Sequence, residues 1–350
     1  MQQRIRLGFV SAAHMHLGGL LRAALECPEI EVVGLSEADA ELRGHHAQQF
    51  SGLATYATAD ELYDAGHPEA IVTCADNRAA VDVVADAARR GVHVMKEKPM
   101  AATLELAERM CTTAARAGTR LMINWPTNWQ PAIHHAKRCV DEGRIGKVWQ
   151  VHNRAGHGGP PEGYAQGGPV GRVGWGWLIE RDMNGGGALV DFCSYGAAIS
   201  RWIMGQPSRV SGIGGRYSKQ FFTVEDNAIL VLRYQQGHSV CEGTWTQPAT
   251  PVRVPLMIYG SEGAIAVTGP AELSIARQDK PREPEVVTAP ALPDHFRSGP
   301  AYFAHQLITG EPFADLVSVQ VSRDAQEILE AGRMSMASGC EVALPLSSFL

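Results

Sequence analysis

The sequence lacks any C-x-x-C pair, any block of Lys/Arg, and any apolar run near the roughly 20 residues that a membrane span needs. Its seven cysteines are odd in number and widely spaced, which argues against a disulfide framework and for a reducing cytoplasm. The 31 basic and 37 acidic residues leave a formal charge of -6, so nucleic acid and anionic membranes are poor partners. The first residues run straight into a short apolar strand, without the hydrophobic stretch and small-residue cleavage site of a signal peptide. What remains is a 350-residue chain with 45% apolar residues, enough for two compact domains.

The first part alternates strand and helix patterns. Arg4 to Ser11 reads as a strand, Leu17 to Cys27 as a helix and Ile30 to Ser36 as a second strand. A helix near Ala38 to Phe50, a strand at Ala70 to Cys74, a helix at Arg78 to Arg90 and a strand at His93 to Lys96 follow. The helix Leu104 to Ala117 stops at Gly118 before a strand at Arg120 to Asn124. The pattern predicts an α/β Rossmann domain, residues 1–124, with a parallel sheet covered on both faces.

In such a sheet a dinucleotide meets the turn after the first strand. The glycine fingerprint expected there is incomplete: counted from Gly8, only Ser11, Ala12 and Ala13 supply small residues before His14. Small side chains still let backbone N–H groups approach a phosphate at a helix N-terminus. Glu37, at the end of the second strand, suits the ribose hydroxyls and repels a 2′-phosphate, which favours NAD over NADP; the other reading is that it caps the next helix.

The run Gly91-Val92-His93-Val94-Met95-Lys96-Glu97-Lys98-Pro99 resembles the Glu-Lys-Pro segment of the glucose-fructose oxidoreductase, inositol dehydrogenase and rhizopine catabolism (Gfo/Idh/MocA) family. The resemblance continues through Asp141-Glu142-Gly143-Arg144-Ile145-Gly146-Lys147-Val148 and Gly185-Gly186-Gly187-Ala188-Leu189-Val190-Asp191. It implies that Lys98 reaches substrate and cofactor, that Pro99 shapes the turn, and that Asp191 lies in the active site. A strand-end lysine suits proton transfer or orientation of a hydroxyl. Where the family has a histidine four residues after the aspartate, this chain has Tyr195. Tyrosine starts near pKa ~10 and needs a cationic neighbour such as Lys98 to act as a base; otherwise it packs or donates a hydrogen bond. After the third strand the family's Thr-Pro is replaced by Cys74-Ala75-Asp76-Asn77, residues that either meet the nicotinamide ribose or cap a helix. The candidate cofactor-binding set is therefore Gly8, Ser11, Ala12, Ala13, His14, Glu37, Cys74, Ala75, Asn77, Glu97 and Lys98, for NAD.

From Val148 strand patterns dominate, at Val148 to Arg154, Val210 to Tyr217, Asn227 to Tyr234, Ser239 to Thr246, Leu256 to Gly260 and Ala264 to Thr268. They predict an α+β domain, residues 125–350, with an open, mainly antiparallel sheet, a hairpin at Gln235-Gln236-Gly237-His238 and a final helix from Val317 to Ala337. In the family the uncovered sheet face commonly builds an oligomer, so a homodimer or homotetramer is expected; Leu230, Leu232 and Tyr234 offer one apolar surface. The Gly-rich stretch Ala155 to Asn184 reads as a long loop, functional or disordered. Its Tyr164, Trp175 and Trp177 can stack on a sugar or merely pack the loop. Asn124, Trp125 and Asn128 follow the last Rossmann strand and, with His157, Tyr164 and Trp177, make the candidate substrate set.

Thirteen histidines invite a metal reading, with His14, His16 and His157 foremost, but H-x-H without a third ligand is weak and no metal is expected. His14 or His16 can instead replace the histidine missing at position 195. Three functions stay open: an NAD-dependent dehydrogenase acting on a sugar, polyol or glycoside, with Lys98 and Tyr195 handling the proton and Asp191 orienting; a lyase that keeps NAD bound and oxidises transiently; and a ligand-binding relative without chemistry.

Overall fold

The computed structural model describes residues 4–247 and 254–346. Two compact units divide the chain. The first holds the residues up to Trp125 together with Pro160–Gly185 and Pro293–Val319; the second holds Pro126–Gly159, Gly186–Leu292 and the residues from Gln320 onward. The break at Trp125/Pro126 lies one residue past the end expected for the Rossmann domain, but that domain also recruits two later segments.

In the first unit β1 (Ile5–Val10), α1 (Leu17–Leu25), β2 (Ile30–Ser36), α2 (Ala40–Gln49), β3 (Thr55–Tyr56), α3 (Ala59–Gly66), β4 (Ala70–Thr73), α4 (Ala80–Arg89), β5 (His93–Glu97), α5 (Leu104–Ala117) and β6 (Leu121–Asn124) alternate. The six strands form a parallel sheet of order β3-β2-β1-β4-β5-β6. Buried Leu7, Phe9, Ile71, Val72, Met95 and Met122 make these strands apolar on both faces, as a doubly covered sheet requires. β3 and α3 escaped the sequence reading because a two-residue strand and a short, half-polar helix carry little periodicity.

The second unit contains α6 (Pro131–Asp141), β7 (Val148–Gly156), α9 (Ser194–Met204), β8 (Arg209–Gly215), β9 (Asn227–Tyr234), β10 (Gly237–Thr244), β11 (Leu256–Gly260), β12 (Gly263–Val267), β13 (Glu272–Arg277), β14 (Lys280–Thr288), nearly all of α11 (Val319–Ser338), and β15 (Val342–Ala343). Its nine-stranded sheet runs β14-β13-β12-β11-β7-β10-β9-β8-β15 and is antiparallel except where β10 pairs with β7. Tyr234 pairs with Gly237, so the hairpin turns through Gln235 and Gln236. Leu230 and Leu232 point inward, where Leu230 meets Gly332 of α11, so they belong to the core and not to the uncovered face. The exposed large apolar side chains of β8 and β9 are instead Ile213, Ile229 and Val231.

The stretch 155–184 is not a structureless loop. Past β7 it forms α7 (Gly168–Gly176) and the single turn α8 (Arg181–Asn184), both part of the first unit, which also takes α10 (Gly299–Thr309).

Candidate active site

The cofactor side of the first unit is built by the turns at the carboxyl ends of its strands. Gly8 lies inside β1, so it does not shape the turn; the residue with left-handed backbone is Ser11, at φ 66°. A serine there costs about 1 kcal/mol more than glycine would. The turn is held by its neighbours: Ser11 N–H donates to Ser36 O, and His14 N–H donates to Cys74 O at 2.9 Å. Glu37 accepts from Ala12 N–H at 2.6 Å and from Asp39 N–H at 2.8 Å, tying the first two strand ends together. The cap of α2 is Asp39, which accepts from Glu41 and Leu42 N–H, so Glu37 is not the helix cap. Beside these groups lies a cavity of about 280 Å³ lined by Ser11, Glu37, Ala38, Ala57 and Thr58. It fits the adenosine end of a dinucleotide, and α1 begins without a side-chain cap, leaving its N-terminus to a diphosphate.

The opposite half of the sheet carries the charged cluster. Glu97 ends β5 and Lys98 follows it, both almost fully buried, and the Lys98–Pro99 peptide is cis. Lys98 N–H donates to Asn124 O at 3.2 Å. Glu97 Oε2 accepts from Asn124 Nδ2 at 2.6 Å, and its Oε1 lies 3.0 Å from His16 Nδ1. His14, His16 and Glu97 bring one candidate ligand atom each within 4.8 Å. His14 is an unsuitable metal ligand, since its Nδ1 accepts His16 N–H at 3.1 Å and its Nε2 then carries the proton. Burial, and then the charges of His16, Lys98 and Lys96, hold the His14 imidazole well below its ordinary pKa.

Lys96 went unremarked in the sequence, although a charged residue interrupting a buried strand was the available signal. Its Nζ donates to Asn77 Oδ1 at 2.7 Å and to Pro99 O, and burial lowers its pKa to about 7. Asn77 Nδ2 in turn donates to Asn184 Oδ1 at 2.8 Å, so its amide is engaged in this network. Asp76 Oδ1 accepts from Arg78 and Ala79 N–H, a capping role. Cys74 and Ala75 are buried at the same strand end, and burial pushes the Cys74 thiol up.

The segment Pro160–Gly185 is pinned across these same turns. Trp177 Nε1 donates to Ala13 O at 3.0 Å, Arg172 pairs with Asp39 at 2.9 Å and Glu41 at 3.0 Å, and Met183 O accepts Arg78 N–H. Trp177 is buried and therefore packs against the first turn, while half-buried Tyr164 packs near Gly176 of α7. Asn124 and Trp125 are buried at the end of β6.

In the second unit, Gly187 has no room for a side chain, since a Cβ would stand 2.0 Å from Glu225 O. Glu225 accepts Gly187 N–H at 2.6 Å and Leu189 N–H at 3.2 Å, fixing the wide π-turn Leu189–Cys193 that presents Asp191. Trp245 Nε1 donates to Asp191 Oδ2 at 2.8 Å, so this fully buried ring, absent from the sequence-based candidates, orients the carboxylate. His157 meets Phe192 edge-on at 4.8 Å, and Phe192 stacks toward Tyr195 at 6.4 Å. Asn128 is completely buried in this unit.

Fold and strand-end groups together define a Rossmann dinucleotide-binding domain. Residues 7–125 match the oxidoreductase family with NAD-binding Rossmann fold, GFO/IDH/MocA, and residues 133–266 match the GFO/IDH/MocA C-terminal domain. The chain belongs to the Gfo/Idh/MocA family. It is 28% identical over 204 residues to the rhizopine catabolism protein MocA of Rhizobium meliloti, covering 58% of each chain. It is 28% identical over 285 residues to the NADP-dependent D-xylose 1-dehydrogenase of Haloarcula marismortui, covering 78% of this chain and 74% of that protein. In fold it is similar to the aldose-aldose oxidoreductase of Caulobacter crescentus, with a TM-score of 0.80 at 21% identity over 98% of this chain and all of the other.

Proposed function

We propose that the protein is an NAD(H)-dependent dehydrogenase acting on a secondary alcohol of a sugar, polyol or glycoside. The observation that carries this reading is Lys98, buried to 3% exposure at the carboxyl end of β5 in a dinucleotide-binding sheet. Bound NAD supplies the two-electron acceptor. Gly8 supports the strand that leads into the cofactor turn; Ser11, Ala12, Ala13, His14, Cys74, Ala75, Asn77 and Glu97 shape the walls that receive the cofactor, with Glu37 at the ribose. Lys98 is the group of the first unit for the reacting hydroxyl; in the second unit Tyr195, and Asp191 held by Trp245, are the groups for substrate. Asn124, Trp125, His157, Tyr164 and Trp177 contribute to its recognition, the buried ones by holding neighbouring groups in place.

Calorimetric titration tests the cofactor assignment: micromolar or tighter NAD(H) binding with much weaker NADPH binding is expected, and equal affinity for NADPH removes Glu37 as the discriminating group. Turnover follows by screening aldoses and polyols, D-xylose and D-glucose first, for NADH formation. The pinned segment Pro160–Gly185 favours slow cofactor exchange, so nicotinamide carried through purification, with no net NADH release, supports the transient-oxidation reading instead.

The assembly proposed is a homodimer or homotetramer through the uncovered sheet face. Strand registers align Val231, Val240, His152, Met257, Ala266, Ser274 and Val286 in one row across seven strands, with Val231 and Val286 exposed. Such a continuous, largely apolar row suits burial against a second copy. Val231→Glu combined with Ile229→Glu is expected to yield monomers by light scattering; an unchanged mass places the interface elsewhere. None of the seven cysteines is in a disulfide, which fits a cytoplasmic location.

A further inference from the structure

We propose that His16, oriented by the buried carboxylate of Glu97, is the acid/base group that takes the proton of the substrate hydroxyl; this rests on the dehydrogenase reading above. The strand order puts β4 between β1 and β5, so the His16 ring, which follows β1, reaches past the end of β4 to Glu97 at the end of β5. The cavity suited to adenosine lies at β2 and β3, which leaves the nicotinamide end to this half of the sheet. His16 therefore stands where the chemistry takes place, with Lys98 adjacent to its carboxylate partner in the chain.

The hydrogen bonds define its state. Glu97 Oε2 is held by Asn124 at 2.6 Å, so the carboxylate is fixed while Oε1 faces His16 Nδ1 at 3.0 Å. An ionised carboxylate only accepts, so Nδ1 carries the proton and Nε2 presents its lone pair. The same carboxylate stabilises the imidazolium once formed. The His16 side chain is 45% exposed and within reach of a ligand, whereas its partner Glu97 is buried. His14 cannot take this part: it is buried, its Nδ1 already accepts a backbone N–H, and burial holds it neutral. The titratable groups around the pair are Glu97, Lys96 and Lys98 from the end of β5 and His14 from the same turn.

In the step, the alcohol O–H proton would pass to His16 Nε2 while its carbon gives up a hydrogen with two electrons, which bound NAD⁺ would accept to leave a ketone and NADH; the imidazolium would later release its proton to water. A base at neutral pH matters here because Tyr195 replaces the family's histidine, and tyrosine ordinarily titrates near pH ~10.

The test compares the wild type with His16→Gln in NAD⁺-dependent oxidation across the aldose and polyol panel, with NADH binding by fluorescence as the folding control and ¹⁵N imidazole shifts of the wild type as an independent reading. Expected are a loss of kcat/KM of about 100-fold or more and NADH affinity within about threefold. The shifts are expected to show His16 protonated on Nδ1 and free on Nε2 at alkaline pH. A variant that retains the rate, or a wild-type His16 protonated on Nε2, overturns this assignment alone. A wild type that oxidises no sugar in the panel overturns the dehydrogenase reading, and this assignment with it.

Discussion

Lys98→Met is expected to lower kcat/KM by about 10²–10⁴-fold, the range for losing a group that moves or holds a proton at the reacting atom. Methionine matches the length of the lysine stem and keeps the buried volume. The backbone at this position is held independently, through Lys98 N–H to Asn124 O at 3.2 Å, so the turn has no reason to collapse. Melting temperature is therefore expected to stay near wild type. Lys98→Arg is not a rescue, because a planar guanidinium cannot place a point donor where the ammonium was. Steady-state kinetics on the best sugar of the screen decide the matter: a Met variant within tenfold of wild type removes Lys98 from the chemistry.

The second large effect concerns Lys96, where pH separates two contributions. Its Nζ serves Asn77 Oδ1 and Pro99 O, and a neutral amine still has two hydrogens for those acceptors. Lys96→Met strands both, at about 1–3 kcal/mol for each one left unpaired. The same substitution removes the cost of burying a charge, so the balance depends on protonation. The folded pKa is lowered to about 7 from an ordinary 10.5 by burial. Between those values the unfolded chain binds the proton and the folded chain does not, so wild-type stability from this group rises with pH, by up to about 1.4 kcal/mol per unit. Its contribution is complete above the unfolded value and is lost as pH falls through about 7. Denaturant unfolding of both proteins is thus expected to show a small deficit for Lys96→Met at pH 6 and a deficit of roughly 2–4 kcal/mol at pH 9. A deficit that stays constant or narrows toward pH 9 contradicts a lysine buried with a depressed pKa.

Both predictions lean on features of different legibility. Lys98 was recognisable in the sequence because Glu-Lys-Pro after a short apolar strand is local information. Lys96, two residues earlier, was passed over because no local rule says whether a lysine at a strand end points to water or to an interior amide. Asn77 and Asn184, which complete its network, are 107 positions apart. Asp191 was likewise legible from the glycine run before it, whereas Trp245, 54 residues later, gave no sign that its ring nitrogen would hold that carboxylate. The glycine fingerprint misled in the opposite direction: counted from Gly8 it begins inside the strand, which runs to Val10, and the left-handed residue of the turn is Ser11. Similarly, the Gly-rich stretch before Gly185 looked like loop because glycine and proline suppress helical periodicity, yet contacts with the strand-end turns order it into α7 and α8.

The sequence by itself determined the alternation of apolar strands and helices, hence the parallel sheet, and the period-two strands of the second unit. It also determined the family, through motifs that are contiguous in the chain. These features are local, since periodicity and turn chemistry act over a few residues. Only the tertiary structure decided which distant segments join the first unit, which face of β9 is covered, and which histidine faces a carboxylate. Leu230 and Ile229 are equally apolar in sequence, and only the packing of α11 against one side of the sheet makes the first core and the second surface. His14 and His16 stand two residues apart in the same turn, and only the arrival of Glu97 on β5 sets His16 with Nδ1 on a carboxylate, while His14 accepts the His16 backbone N–H.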